Sequence, residues 1–246
     1  MARSFTYSAL VLKVRPSGES NRDAWFLTSS DGILKATVFG GPKSKLRAHI
    51  APFHEGTLWL YHDPVKDSRK VTDFDVQSWR PGLRERYERA KTAGAVLETI
   101  FFSHGGGGNW STALKISGQT LDALDNADEQ ACTRIYLHFL WNWADLLGLR
   151  QDINHCSSCA YEARSDGILL FSSREGVLRC SSCAEGSDLS PIGLGARKWL
   201  NTVEDLHPSL LNRYTLDNVS LAQAKTLVIG LMSEALGKRL ESWDNI

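Results

Sequence analysis

Over the first eighty residues apolar and polar positions alternate in short runs, and near residue 80 the period changes. The runs Phe5 to Val14, Ala24 to Thr28, Ile33 to Phe39, Thr57 to His62 and Val71 to Trp79 are rich in β-branched and aromatic residues. Turn signals such as Pro16-Ser17-Gly18, Ser30-Asp31-Gly32, Gly40-Gly41-Pro42 and Asp63-Pro64 separate them, so five strands are predicted. Ser44 to Ile50, between the third and fourth, does not alternate and suits a helix. Five short strands with a helical link at that place are the ground plan of an OB-fold barrel; an SH3-like barrel gives a similar string without the helix.

Beyond residue 80 the apolar positions follow a helical period. Leu83, Tyr87, Ala90, Leu97 and Phe101 form one stripe, Ile135, Phe139, Trp143, Leu146 and Leu147 a second, and Leu221, Val228, Leu231, Ala235 and Leu236 a third. Such stripes bury against a core. Ser220-Leu221-Ala222-Gln223 reads as a capping box that opens a last helix running to about Trp243. Gly105 to Gly108 lacks both the preceding strand and the GK[ST] ending of a phosphate loop and is predicted to be a flexible link between helices. The fold class is therefore α+β: an OB-fold barrel over residues 1–80 and a helical domain over 81–246, the latter interrupted at about 153–187.

The interruption carries the chemistry. Cys156-Ser157-Ser158-Cys159 and Cys180-Ser181-Ser182-Cys183 are two CxxC turns separated by twenty residues, long enough to run out as a hairpin through Gly167–Ser172 and return through Gly176–Arg179. Four thiolates in that spacing close a tetrahedral zinc site, one zinc per chain, of the zinc-ribbon kind. Two disulfides or a redox pair compete. A redox CxxC opens a helix after a strand, whereas the second pair here enters the polar turn Ala184–Ser187. A site with four cysteines has no open position for water, so its expected role is structural. His155 is expected beside the cluster rather than in it, and Cys132, in a helical run, as a small buried hydrophobe.

With 42% hydrophobic residues the chain has material for a full core. No run approaches eighteen uninterrupted apolar residues and the start alternates, so neither a membrane span nor a signal peptide is expected and the cytoplasm is the expected compartment. Reduced cysteines fit that expectation. The formal net charge is zero, but residues 1–80 hold 12 Lys and Arg against 8 Asp and Glu, and residues 151–190 hold 3 against 6. Between Asp31 and Glu55 lie Lys35, Lys43, Lys45 and Arg47 and no acid. A barrel of this class binds single strands by pairing a basic groove with exposed aromatic rings. These four residues are therefore the expected DNA contacts, with Phe39 and Trp25 as stacking faces; the competing reading is that the aromatics fill the barrel and the basic residues are a solvated face. Arg84, Arg86, Arg89 and Lys91 are the second-ranked basic surface. The motifs GxSxG, HExxH, the Walker loop and HxE with PCxxC are all absent, so no catalysis is expected.

The order of these parts, together with Arg15–Asp23, Asp31-Gly32-Ile33-Leu34, Phe39–Arg47, Ala51-Pro52-Phe53, Phe171-Ser172 and the four cysteines, resembles the bacterial recombination mediator family RecO. The resemblance covers the whole chain, strongly in the first domain and ribbon. It implies binding of single- and double-stranded DNA, annealing of complementary strands coated by single-stranded DNA-binding protein, and assistance in loading recombinase together with a RecR-like partner. It further implies that the acidic, Phe-ended tail of single-stranded DNA-binding protein docks on the helical domain, where Trp110, Trp141, Trp143, Trp199 and Trp243 are aromatic material for a hydrophobic pocket. An adaptor that binds proteins through its ribbon, without annealing, is the competing reading. Gly41 and Pro42 stand where the family often carries more arginine, which implies weaker DNA affinity through that loop.

Overall fold

The computed structural model describes residues 3–40, 44–164 and 167–245. They form two compact units, Met1–Asn126 and Ala127–Ile246. In the first, β1 (Ser4–Ser17), β2 (Asn21–Thr28), β3 (Gly32–Val38), β4 (Glu55–Asp63) and β5 (Ser68–Ser78) close a barrel in the order β1-β2-β3-β5-β4, with helix α1 (Lys45–His49) between β3 and β4. This is the OB arrangement, so the helical link decides against the SH3-like alternative.

Closure depends on β1 serving two partners. Its first half pairs with β4, Ser4 opposite Tyr61 through Leu10 opposite Glu55, and its second half with β2, Ala9 opposite Thr28 through Ser17 opposite Asn21. A register shift between Val11 and Lys13 bends the strand where it changes partner, the usual way a bulge turns a sheet corner. β3 meets β5 in parallel at Thr37 and Lys70. Alternation sends Val11, Phe26, Ala36, Leu58, Val71 and Phe74 inside, and the Phe26 and Phe74 rings meet at 6.1 Å. Gly56 is required where β4 and β5 crowd, because a Cβ there would lie 1.9 Å from the Asp75 carbonyl oxygen.

Strands end near residue 80, but compact packing continues to Asn126, taking in α2 (Tyr87–Phe102) and α3 (Trp110–Asp125). Arg80 makes the join. Held at φ 48° and only 4% exposed, its guanidinium donates to Glu55 Oε2 at 2.5 Å, Asp122 Oδ1 at 2.6 Å, the Phe53 carbonyl at 2.8 Å and the Gly118 carbonyl at 3.3 Å. One buried cation thus ties a strand, a loop and α3, and its charge is matched by two carboxylates. A Cβ at Gly118 would stand 2.7 Å from Glu55 Oε2, so glycine keeps α3 close enough for this contact. Leu83 and Leu97 are buried as predicted. Tyr87 is not: it lies in the first turn of α2 and is 76% exposed. Gly105 to Gly108 form the turn between α2 and α3, all four with positive φ.

The second unit packs α4 (Glu129–Leu146), α5 (Leu194–Val203) and α6 (Asn218–Leu236) with a small sheet of β6 (Leu169–Ser172), β7 (Val177–Arg179) and β8 (Leu189–Ile192) in the order β7-β6-β8. Tyr136, Phe139, Trp141, Trp143, Phe171 and Trp243 fill its core. Trp243 Nε1 donates to the Tyr136 hydroxyl at 2.7 Å, so a large ring is buried without losing a hydrogen bond. Cys132 is buried in α4, its thiol reaching the Asp128 carbonyl.

The ends of α6 differ from the sequence expectation. Its N-cap is Asp217, whose carboxylate accepts from Val219 N and Ser220 N, and Gln223 instead accepts from Gly193 N at 2.9 Å. The carboxylate three residues upstream takes the first free amides before a serine cap can form. Gly237, left-handed at φ 62°, ends the helix well before Trp243. By length and hydropathy α6 would suit a membrane span, yet it carries Lys225 and Glu234 and packs against α4, α5 and β8.

Candidate metal centre and nucleic-acid interface

β6 and β7 form the hairpin predicted between the cysteine pairs, Phe171 opposite Leu178. The first knuckle folds on itself: Cys156 N donates to the Tyr161 carbonyl at 2.8 Å and Ala160 N to the Cys156 carbonyl at 2.9 Å, with Ala160 left-handed at φ 56°. Ser157 N reaches the Leu178 carbonyl at 2.9 Å, which pins this knuckle to the strand leading into Cys180. The second knuckle repeats the turn, Cys183 N and Ala184 N both donating to the Cys180 carbonyl at 3.0 Å.

The result is four sulfurs, from Cys156, Cys159, Cys180 and Cys183, within 4.8 Å of one another. Cys159 Sγ and Cys180 Sγ lie 3.8 Å apart. A tetrahedron with metal–sulfur bonds of about 2.3 Å separates its sulfurs by about 3.8 Å, so the donor set fits zinc in number, type and size. The proton chemistry of the cluster points the same way. Burial pushes the Cys156 thiol up, but backbone amides of Cys180, Cys159 and Ser158 outweigh it and hold the group down to about 6. Contacts with the thiols of Cys159 and Cys180 drive Cys183 up to about 12. Sulfurs this close compete for negative charge unless a cation neutralises them. His155 stays out of the cluster, its Nδ1 paired with Asp152 Oδ2 at 2.6 Å.

Arg197 of α5 holds the ribbon in place. It is 1% exposed and donates to the carbonyls of Gly167 at 2.8 Å and Ala163 at 2.9 Å, with longer contacts to Arg164 O and Asn154 Oδ1 at 3.4 Å. The four cysteine positions give no hint of it. The alternation along the chain does not predict the third strand, which contains Pro191; β8 is an edge strand, where a missing amide is tolerated.

The basic residues of the barrel separate into two groups. Lys35 does not stand free: its Nζ pairs with Asp23 Oδ2 at 2.7 Å and lies 5.3 Å from the Trp25 ring. The Lys35 hydrogen bond in turn holds the Asp23 carboxyl below its usual range. Trp25 packs edge-on against Phe101 at 6.4 Å. Lys43 lies outside the described residues. Lys45 is exposed on α1 and Arg47 half-buried there. Arg22 reaches the Arg47 carbonyl at 3.5 Å, and burial, with a smaller contribution from the Arg47 charge, lowers its pKa. Arg22 pairs with Val38 across the sheet, next to Phe39, which is 51% exposed and has Lys70 Nζ 5.7 Å from its ring. The barrel thus gathers Arg22, Phe39, Lys45, Arg47 and Lys70 at the β3–α1 end. Arg22 and Lys70 sit outside the acid-free segment, and only strand pairing brings them there.

Three of the four residues of the second-ranked basic surface are engaged within the protein, while Arg86 is exposed. Arg84 donates to the Pro52 carbonyl at 2.8 Å and stacks on Phe53, Arg89 donates to the Asp125 carbonyl at 2.8 Å, and Lys91 pairs with Glu88 at 2.5 Å.

Comparison with known proteins agrees with this architecture. The family profile described as Recombination protein O N terminal matches residues 1–77, and that described as Recombination protein O C terminal matches residues 111–244. The chain belongs to the recombination protein O family. Among curated members, the DNA repair protein RecO of Moorella thermoacetica is 24% identical over 242 residues, covering 97% of this chain and 88% of the relative. That of Maridesulfovibrio salexigens is 21% identical over 209 residues, 83% of each. The N-terminal profile ends one residue before β5 does, and the C-terminal profile spans the four-cysteine cluster.

Proposed function

We propose that this chain is a cytoplasmic DNA repair and recombination mediator that binds DNA through its barrel, and that it acts by holding strands rather than by chemical turnover. The observation that carries the reading is the exposed Phe39 ring beside Lys70, with Arg22, Lys45 and Arg47 at the same end of the barrel. An exposed aromatic ring beside clustered cations is how barrels of this class hold a single strand, bases stacking on the ring and phosphates on the cations. Such contacts carry no base code, so binding is sequence-tolerant. Double-stranded DNA is held through the same phosphate contacts.

Complementary strands coated by single-stranded DNA-binding protein are the proposed substrate for annealing, with a RecR-like protein as the partner in recombinase loading. The acidic, Phe-ended tail of single-stranded DNA-binding protein is proposed to dock on the helical part of the chain, but not on the tryptophans expected from the sequence: Trp141, Trp143, Trp199 and Trp243 are buried and Trp110 lies in the first unit. Zinc held by Cys156, Cys159, Cys180 and Cys183 has a structural role: it orders the ribbon and leaves no coordination site for a substrate. Family membership and the conventional RecO names of the relatives support this role.

The test is annealing of coated complementary strands. Substituting Arg22, Arg47 and Lys70 by alanine is expected to abolish it and to weaken single-strand binding. A variant that anneals at the wild-type rate would refute the placement, and wild-type protein that binds ribbon-directed partners without annealing would favour the adaptor reading.

A further inference from the structure

The second unit contains a groove of about 710 Å³ between the ribbon sheet and α6. Ile229 and Trp243 line it together with Ser173, Ser190, Lys225, Thr226, Ser233 and Arg239. No carboxylate lines it among the described residues, although residues 151–190 as a whole are acidic. Lys225, Arg239 and the hydroxyls of Ser173, Ser190 and Ser233 are of the kinds that contact DNA phosphates and sugars, while the Thr226 hydroxyl donates to the Ala222 carbonyl at 3.0 Å. The donors are also spread lengthwise. Lys225 and Ser233 are eight positions apart on α6, about 12 Å of helix, and Arg239 follows the break at Gly237. That spread suits successive phosphates of an extended strand better than one compact anion.

We propose that this groove binds the backbone of a second DNA strand while the barrel holds the first. The inference rests on the barrel-binding reading above and adds to it a site that would let a single protein molecule hold both strands during annealing. The hydroxyls and cations fix position without reading bases, which leaves base edges exposed to search for a complement.

The experiment uses the full chain. A donor-labelled oligonucleotide is bound stoichiometrically, a non-complementary acceptor-labelled oligonucleotide is added, and energy transfer reports capture of both. Wild type is expected to capture two strands. Lys225→Ala with Arg239→Ala should keep first-strand affinity within about twofold and lose second-strand affinity on the order of tenfold, as expected for removing two phosphate contacts. Annealing should slow in parallel. Ser233→Asp, which adds a negative charge to the groove without touching either cation, should produce the same split, and Lys225→Arg with Arg239→Lys should restore capture. Normal second-strand capture by both the double-alanine and Ser233→Asp proteins would overturn the proposal. So would displacement of the second strand by neither change but occupation of the groove by an acidic, aromatic-ended peptide. Wild type that holds one strand but never two refutes this site alone, whereas wild type that holds no strand refutes the barrel reading as well.

Discussion

Replacing Arg197 by methionine should release the zinc ribbon while leaving the barrel unit intact. Methionine roughly fills the volume of the side chain but supplies no donor, so the carbonyls of Gly167 and Ala163, now bonded at 2.8 and 2.9 Å, lose their partner inside the protein. An orphaned buried acceptor costs about 1–3 kcal/mol, and a hydrogen bond from a charged donor is worth about 1.5–3 kcal/mol. Relief of guanidinium desolvation offsets part of this, since burial already depresses the Arg197 pKa and Arg197 has no salt-bridge partner among the described residues. The net expectation is about 3–4 kcal/mol of local destabilisation, which corresponds to a rise of about two to three orders of magnitude in local opening, at about 1.4 kcal/mol per factor of ten. Amide hydrogen exchange would read this at Cys156, Ala163 and Gly167, whose N–H groups are bonded within the ribbon, and metal transfer to a chelator should accelerate in step. Arg197→Lys should fall between, because one ammonium serves fewer carbonyls. Exchange within about threefold of wild type at those amides, or equal acceleration in the barrel strands, would refute the assignment of Arg197 as the ribbon's anchor.

Protein prepared without chelator should contain one equivalent of zinc, and serine at any of Cys156, Cys159, Cys180 or Cys183 should unfold the ribbon locally, since ligation supplies roughly 10–16 kcal/mol in structural sites; metal analysis finding no zinc would remove the site. Lys35→Ala should leave the salt dependence of single-strand binding unchanged because that charge is committed to Asp23, whereas removing Arg22, Arg47 and Lys70 should flatten a log–log slope of roughly −3 by about two units; a flatter slope in Lys35→Ala contradicts the grouping. His138, buried in α4, has its pKa lowered from 6.5 to about 4 by burial. The unfolded chain therefore binds the extra proton first as pH falls, and the second unit should lose about 3 kcal/mol of stability between pH 6.5 and 4. Denaturant titrations of wild type and His138→Gln should converge over that window, and parallel curves would show that His138 does not carry the effect. Gly118→Ala should lower the melting temperature of the barrel unit, because the added methyl meets the Glu55 carboxylate that Arg80 holds; an unchanged melt would show that the contact yields without cost.

Elements whose pattern is local were legible in the chain itself. The five strands and the helical link follow from alternation and from turn residues, and the metal cluster from two CxxC turns at hairpin spacing, because both are set by neighbours within a few residues. Much of the helical core was legible for the same reason: Ile135, Phe139 and Trp143 are all buried. What the chain could not reveal depends on pairing between distant segments. Lys35 looked available by its acid-free surroundings, yet β2–β3 pairing sets Asp23 two strand positions away and within 2.7 Å. Arg22 and Lys70 looked unremarkable, yet the β2–β3 register and the β3–β5 closure carry them to either side of Phe39. Arg84 and Arg89 read as a basic helix face, but carbonyls at Pro52 and Asp125 consume them. Composition and periodicity report which side chains can be buried or charged; only the tertiary fold decides which charges meet an opposite charge or a carbonyl and which remain at the surface, because that is settled by distances between residues far apart in the chain.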